Sequence, residues 1–119
     1  MAHTVTVFGI PNCDQVRKAR AWLTEHGVAF AFHDLRKDGL DADRLARWIG
    51  EAGRDTLLNR KGTTWRQLDE AERTGVTDDA SAQALMLARV TVIRRPVIET
   101  DARLLVGFDP NEYAAVFPG

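Results

Sequence analysis

The stretch TVTVFGIPNCDQVRKARAWL, residues 4–23, decides the fold. Its first seven residues are mainly β-branched or aromatic, which predicts a buried strand that ends at a turn. Apolar residues at helical spacing then predict a helix from Asp14 to about His26, with Gly27 as its C-terminal stop. The only cysteine of the chain, Cys13, therefore lies where the strand turns into the helix.

The remaining apolar segments predict two halves separated by helices. Residues 28–35 read as a second strand, and the order β-α-β favours a parallel pair. VIET and RLLVGF, at 97–100 and 103–108, read as an antiparallel hairpin, and residues 111–117 as a closing helix. The order predicts an α/β thioredoxin-like fold, β-α-β then β-β-α, with a helical insertion at about residues 41–90.

The insertion is expected to contain three helices. The first has Asp41 as its N-cap and a stripe of Leu45, Trp48 and Ile49. Residues 64–71 read as a short helix. Residues 78–89 read as another, with its inward-facing positions at Ala82, Leu85 and Met86.

Length and composition describe one globular domain, residues 1–119. Hydrophobic residues make up 45% and charged residues 28%, and the net charge is −1, which gives no footprint of a nucleic-acid binder. No apolar run reaches the roughly 18 residues of a membrane span. A lone cysteine excludes an internal disulfide and a multi-cysteine metal site, and we therefore expect a reducing compartment, the cytoplasm. We also expect a monomer.

Cys13 is the candidate nucleophile. A helix start offers unpaired N–H groups and the positive end of the helix dipole, and both favour the nucleophilic thiolate. Asp14 opposes this effect mildly. Val16 stands where a CxxC pair would have its second cysteine, so an outside thiol, for which glutathione is the candidate, must resolve a mixed disulfide. An inert, partly buried cysteine is the alternative.

Two basic segments are candidates for anion binding. Arg95 precedes Pro96 before a strand, where an X-Pro bond can be cis. In thioredoxin-like folds such a loop lies against the catalytic cysteine, where Arg95 would stabilise a thiolate and bind a carboxylate or oxyanion bidentately. Arg60, in LLNRKG at 57–62, could form an anion-binding rim. The alternatives are a surface arginine and a solvated loop.

Five motifs together resemble one known family over essentially the whole chain. They resemble the arsenate reductase (ArsC) and Spx family, especially its YffB-like branch, whose members are regarded as glutathione-dependent thiol reductases. The motifs are FGIPNCD, FHDLRKDGL, LLNRKGTTWR, VIRRPVIE and LLVGF. The resemblance implies a thioredoxin fold with a helical insertion, a nucleophile at Cys13 and a cis-proline at Pro96.

The chain departs from the family's arsenate reductases, which place a cysteine and three arginines around the oxyanion. Arg95 matches the second arginine, and the first matches Arg60 or, without a gap, Asn59. The third has no counterpart in LLVGF. Gly9 and Val16 replace the histidine and the CxxS serine of the family motif, and these departures argue against arsenate chemistry.

We therefore predict a glutathione-dependent thiol oxidoreductase that works through a mixed disulfide on Cys13. Arg95 would stabilise the thiolate and, with Asn12, Arg60 and Pro96, bind the substrate. Glutathione is the expected co-substrate, glutaredoxin a further candidate partner, and no metal is expected. The alternatives are a glutaredoxin-coupled arsenate reductase and a non-catalytic, Spx-like regulator that binds RNA polymerase.

Overall fold

The computed structural model describes residues 4–117, and the chain divides into two compact units. The first unit combines the chain up to Asp38 with the chain from Arg95 onward, and the second is Gly39–Arg94. The first carries a four-stranded mixed sheet and the second is helical. This α/β architecture confirms the predicted thioredoxin-like fold with helices inserted between its halves.

The first unit follows the predicted order. Strand β1 (Thr6–Gly9) leads into helix α1 (Asp14–Glu25) and strand β2 (Ala31–Asp34); β3 (Val97–Glu99), β4 (Leu104–Val106) and α7 (Pro110–Val116) follow the second unit. The strands lie in the order β2-β1-β3-β4. As predicted, β1 and β2 are parallel, and β3 and β4 form an antiparallel hairpin.

An apolar cluster of strand and helix residues lies on one face of this sheet. In α1 the buried residues recur at helical spacing, so that one face packs on the sheet, and Gly27, with φ +71°, follows the helix as its stop. At the other end of the unit, Asp109 accepts hydrogen bonds from the first turn of α7. The cluster consists of Val5, Val7, Ala19, Leu23, Ile98, Leu105, Tyr113 and Phe117.

The second unit contains five short helices and one 3-10 turn, Val90–Val92. The helices are α2 (Ala42–Ala52), α3 (Arg54–Leu57), α4 (Thr63–Gln67), α5 (Glu70–Thr74) and α6 (Asp79–Ala88). The predicted stripe of Leu45, Trp48 and Ile49 is buried on α2. An antiparallel bridge between Leu58 and Ile93 connects the segment after α3 to the C-terminal end of the unit.

The prediction of one helix over residues 64–71 is wrong, because the structure has two helices there, α4 and α5. Leu68 is buried and extended, with φ −69° and ψ 148°, and ends α4. Asp69 then caps α5 in a reciprocal capping box with Glu72. Helix α3 was not predicted, and β2 is shorter than the predicted 28–35. On α6, Leu85 is only partly buried.

Within residues 4–117, no helix combines the length and the apolar character that a membrane crossing requires.

Gly9 and Val16 are sterically coupled, and the coupling predicts a non-additive pair of mutations. A Cβ on Gly9 would lie 2.6 Å from Cγ2 of Val16, which is fully buried and, being β-branched, stiff in a helix. We expect Gly9→Ala to lower the free energy of unfolding by about 1–3 kcal/mol. Adding Val16→Ala should cost less than the sum of the single costs, measured by urea denaturation.

Gly50→Ala is the matched control for this pair. Gly50 is exposed within α2, and a Cβ there meets nothing within 4 Å. The same substitution should therefore stabilise the protein by about 0.5–1 kcal/mol, because alanine is the better helix former. Strictly additive costs for Gly9 and Val16 would contradict the coupling.

Tyr113 predicts a loss of stability at alkaline pH. Burial, and then the charges of Glu112 and Asp109, raise the pKa of its hydroxyl above the ordinary value of about 10. Above that pH the unfolded chain loses this proton while the folded chain keeps it, so the free energy of unfolding falls by up to about 1.4 kcal/mol per pH unit. Tyr113→Phe lacks this proton and should show a shallower fall. Parallel curves for the two proteins would exclude the effect.

Candidate active site

The predicted site residues of the first unit lie at one end of the two central strands, after β1 and before β3. Phe8 pairs with Val97, so one further step of this antiparallel register sets Gly9 across from Pro96. Strand β1 runs toward this end and β3 runs away from it. The turn that carries Cys13 and the segment Arg95-Pro96 are therefore neighbours, although they are far apart in sequence.

Cys13 is the N-cap of the twelve-residue helix α1. Its backbone is extended, with φ −131° and ψ 127°, and its carbonyl accepts the hydrogen bond of the Arg17 N–H at 2.9 Å. The side chain makes no capping hydrogen bond to the described chain, residues 4–117, and is partly exposed. A thiol in this position lies at the positive end of the helix, and it can be reached from solvent.

Arg17 is a neighbour of the thiol that the sequence analysis missed. Its guanidinium forms an ion pair with Asp14 and donates to Oδ1 of Asn12 at 3.2 Å. The negative charge of Asp14, which opposes a thiolate, is therefore balanced locally. The i, i+3 spacing of Asp14 and Arg17 was the available signal.

The two arginines before Pro96 have different surroundings. Arg94 donates from Nε to the Thr56 carbonyl at 3.0 Å, and its backbone N–H donates to Leu57, so it is bound into the second unit. Arg95 is partly buried, with a buried Nε. The Arg95-Pro96 peptide is cis, as predicted, and Pro96 is buried. Of the two arginines, Arg95 is thus the one that lies beside the start of β3.

No second thiol is available near Cys13. The chain contains one cysteine, and the position three residues later holds the apolar, fully buried Val16. Among residues 4–117, no group of three or more His, Cys, Asp or Glu is arranged to hold a metal ion.

Arg60 lies in the second unit, and its role at the thiol stays a prediction. Its guanidinium pairs with Asp55 at 2.9 Å and lies over the Trp65 ring at 5.4 Å. The alternative match, Asn59, packs its side-chain amide against Gly62, where an added Cβ would come within 2.7 Å of Nδ2. The side chain of Asn59 is thus fitted to its own turn, whereas Arg60 is half exposed.

Known proteins resemble this chain over nearly its whole length. The solved structure of the YffB protein shares 50% identity and a TM-score of 0.91, covering 96% of this chain and 99% of that one. An arsenate reductase (ArsC) related protein from Brucella melitensis shares 48% identity and a TM-score of 0.75, covering 98% and 96%. The global transcriptional regulator Spx of Streptococcus mutans is 30% identical, with 96% and 83% covered.

The family assignment follows from these similarities and from the match of a family's sequence model. The model of the ArsC family matches residues 8–116, a range that holds Cys13, Arg60 and the Arg95-Pro96 segment. The predicted resemblance is therefore confirmed, and the chain belongs to the ArsC family.

Proposed function

We propose that this protein is a glutathione-dependent thiol oxidoreductase with Cys13 as its nucleophile. The observation that supports this best is the pairing of Phe8 with Val97, because the turn bearing Cys13 follows β1 and the segment bearing Arg95 and Pro96 precedes β3. Family membership supports redox chemistry at the cysteine. The lack of a second cysteine supports an external thiol as the reductant.

The reaction balances with glutathione as the only electron donor. The Cys13 thiolate attacks the glutathione sulfur of a mixed disulfide, the substrate leaves as a thiolate, and Cys13 becomes glutathionylated. A second glutathione thiolate then attacks this adduct, releases Cys13 as a thiolate and forms glutathione disulfide. The mixed disulfide and one reduced glutathione thus become the substrate thiol and glutathione disulfide, and no other reductant is needed.

The basic residues would hold the charged ends of glutathione. Arg95 would stabilise the thiolate and bind a carboxylate through its planar fork, with Asn12 beside the thiol and Pro96 shaping the backbone. Arg60 would assist as an anion contact. Its ion pair with Asp55 is half exposed, and such pairs contribute about 1 kcal/mol or less, so Arg60 could exchange partners at low cost.

Adduct formation tests the nucleophile directly. Incubation with glutathione disulfide should add one glutathione per chain, measured by intact-protein mass, and excess reduced glutathione should remove it. Cys13→Ser has no thiol and should gain no mass. Wild-type protein that stays unmodified through prolonged incubation would count against the proposal.

Arsenate reduction should be slower than disulfide reduction. Arsenate and the attacking thiolate are both negative, so the site must concentrate positive charge where they meet. The strand that would supply the family's third arginine is the apolar β4, where Val106 pairs with Val97. Losing one such donor costs on the order of 10²–10³ in rate.

The test compares the two substrates in one coupled assay. NADPH consumption by glutathione reductase is followed in the presence of glutathione, either with arsenate and glutaredoxin or with a glutathione mixed disulfide and no glutaredoxin, and the rate with Cys13→Ser is subtracted. We expect turnover with the disulfide only, or far above that with arsenate. Equal or faster arsenate turnover would make a glutaredoxin-coupled arsenate reductase the better proposal.

The similarity to Spx supports a second candidate, a non-catalytic regulator that binds RNA polymerase. A regulator needs no turnover. Because Val16 stands where a CxxC motif has its second cysteine, such a regulator would not be switched by a disulfide within this motif. Purified RNA polymerase retained by the immobilised protein, together with no glutathione adduct, would favour this candidate. Adduct formation without polymerase binding would exclude it.

A further inference from the structure

A chain of two hydrogen bonds connects helix α7 to the segment before β3. The Tyr113 hydroxyl donates to the Gly107 carbonyl at 2.7 Å, and the Gly107 N–H donates to the Pro96 carbonyl at 2.8 Å. Pro96 is bonded directly to Arg95. The hydroxyl is therefore two hydrogen bonds from the backbone that presents Arg95.

Tyr113 is held rigidly enough to act through this connection. Its ring is fully buried and meets Trp22 and Phe108 edge-to-face, at centroid distances of 5.5 and 5.3 Å. Burial raises the pKa of the hydroxyl, so it stays protonated and remains a donor at neutral pH. The α7 start is fixed in turn by the Asp109 cap.

Gly107 transmits the constraint because both sides of its Cα are bonded. Its N–H is bound to Pro96 and its carbonyl to Tyr113, so neither flanking peptide can rotate without breaking a hydrogen bond. Its φ of +84° lies in the region that favours glycine. The residue directly after β4 is thereby a fixed support for the segment entering β3.

We propose that Tyr113 is a positioning residue that holds Arg95 at the Cys13 thiol through Gly107 and Pro96. The inference rests on the part of the proposed function that assigns Arg95 to the thiol. Tyr113 touches neither thiol nor substrate in this role. Removing its hydroxyl should release the Gly107 carbonyl, loosen the bond from the Gly107 N–H to the Pro96 carbonyl and let the guanidinium move away from the sulfur.

The ratio of two alkylation rates measures the positive charge at Cys13. Iodoacetate is anionic and iodoacetamide is neutral, and both alkylate the same thiolate. The rate with iodoacetate divided by the rate with iodoacetamide therefore does not depend on the thiolate fraction. This ratio rises when nearby cations attract the anionic reagent. Arg95→Ala should lower the ratio about fivefold, and Tyr113→Phe should lower it about two- to threefold. Tyr113→Phe added to Arg95→Ala should lower it no further.

Three controls separate positioning from general loosening. Phe117→Leu weakens the packing around Trp22 without touching the hydrogen bonds and should keep the wild-type ratio. Arg94→Ala removes the same charge one residue away, where the side chain binds the Thr56 carbonyl, and should also keep the wild-type ratio. Gly107→Ala strains the same support through its φ and should lower the ratio as Tyr113→Phe does.

The outcomes distinguish this inference from the proposed function. A wild-type ratio in Tyr113→Phe, with a lowered ratio in Arg95→Ala, would overturn the inference and leave the function standing. A lowered ratio in Phe117→Leu equal to that in Tyr113→Phe would overturn it as well. An unchanged ratio in Arg95→Ala would overturn both the role of Arg95 and the inference. The predicted ratios without any glutathione adduct would support the inference and contradict the function.

Discussion

The register of β1 is the constraint on which the site depends. Phe8 lies opposite His33 on the parallel side and opposite Val97 on the antiparallel side. Val7 and Phe8 point to opposite faces and are both buried, so a slip of one residue would exchange two closely packed sets of side chains, and packing on both faces fixes the register. The same pairing decides which residues leave β1 and enter β3 together. The register that packs the core therefore also brings the turn that carries Cys13 to the same end of the strands as Pro96.

The two departures from the family motif next to the cysteine belong to one steric solution. Val16 fills, without exposure, the space that a Cβ on Gly9 would need. A larger residue at position 9 would require a smaller one at position 16, or a shift of α1 against β1. The polar pair of histidine and serine in the family's arsenate reductases thus gives way to a glycine and an apolar side chain, which can pack but cannot donate a proton. Acid–base assistance from these positions is lost, and what remains to activate the thiol is the helix start and the nearby cations.

The sequence predicted those elements whose local signals and tertiary role agree. Gly27, the predicted stop of α1, follows that helix with φ +71°, and the side chain of Asp109 caps the predicted closing helix, α7. The break between α4 and α5 was missed because helical periodicity over residues 64–71 outweighed the capping pattern of Asp69 and Glu72, although the pattern was present. The bond from Tyr113 to Gly107 could not be predicted. Its donor lies on a helix face that reads only as core, and its acceptor is a backbone carbonyl, which leaves no mark in the sequence.

A cysteine without a resolving partner places its own demand on the site. In the proposed reaction, the mixed disulfide on Cys13 has to be attacked by a second molecule, so the opening that admits the substrate must also admit the reductant. The thiol lies in a turn whose neighbours, Pro11 and Asn12, are exposed, and it is itself partly exposed, which fits such repeated access. In the proposed reaction both incoming sulfur compounds carry carboxylates, and the second attacks as a thiolate. A cation beside the sulfur would attract both of these anions, which a neutral hydroxyl at position 16 would not do. For the proposed reaction, the loss of a polar residue at position 16 would therefore slow the exchange less than the loss of Arg95 would.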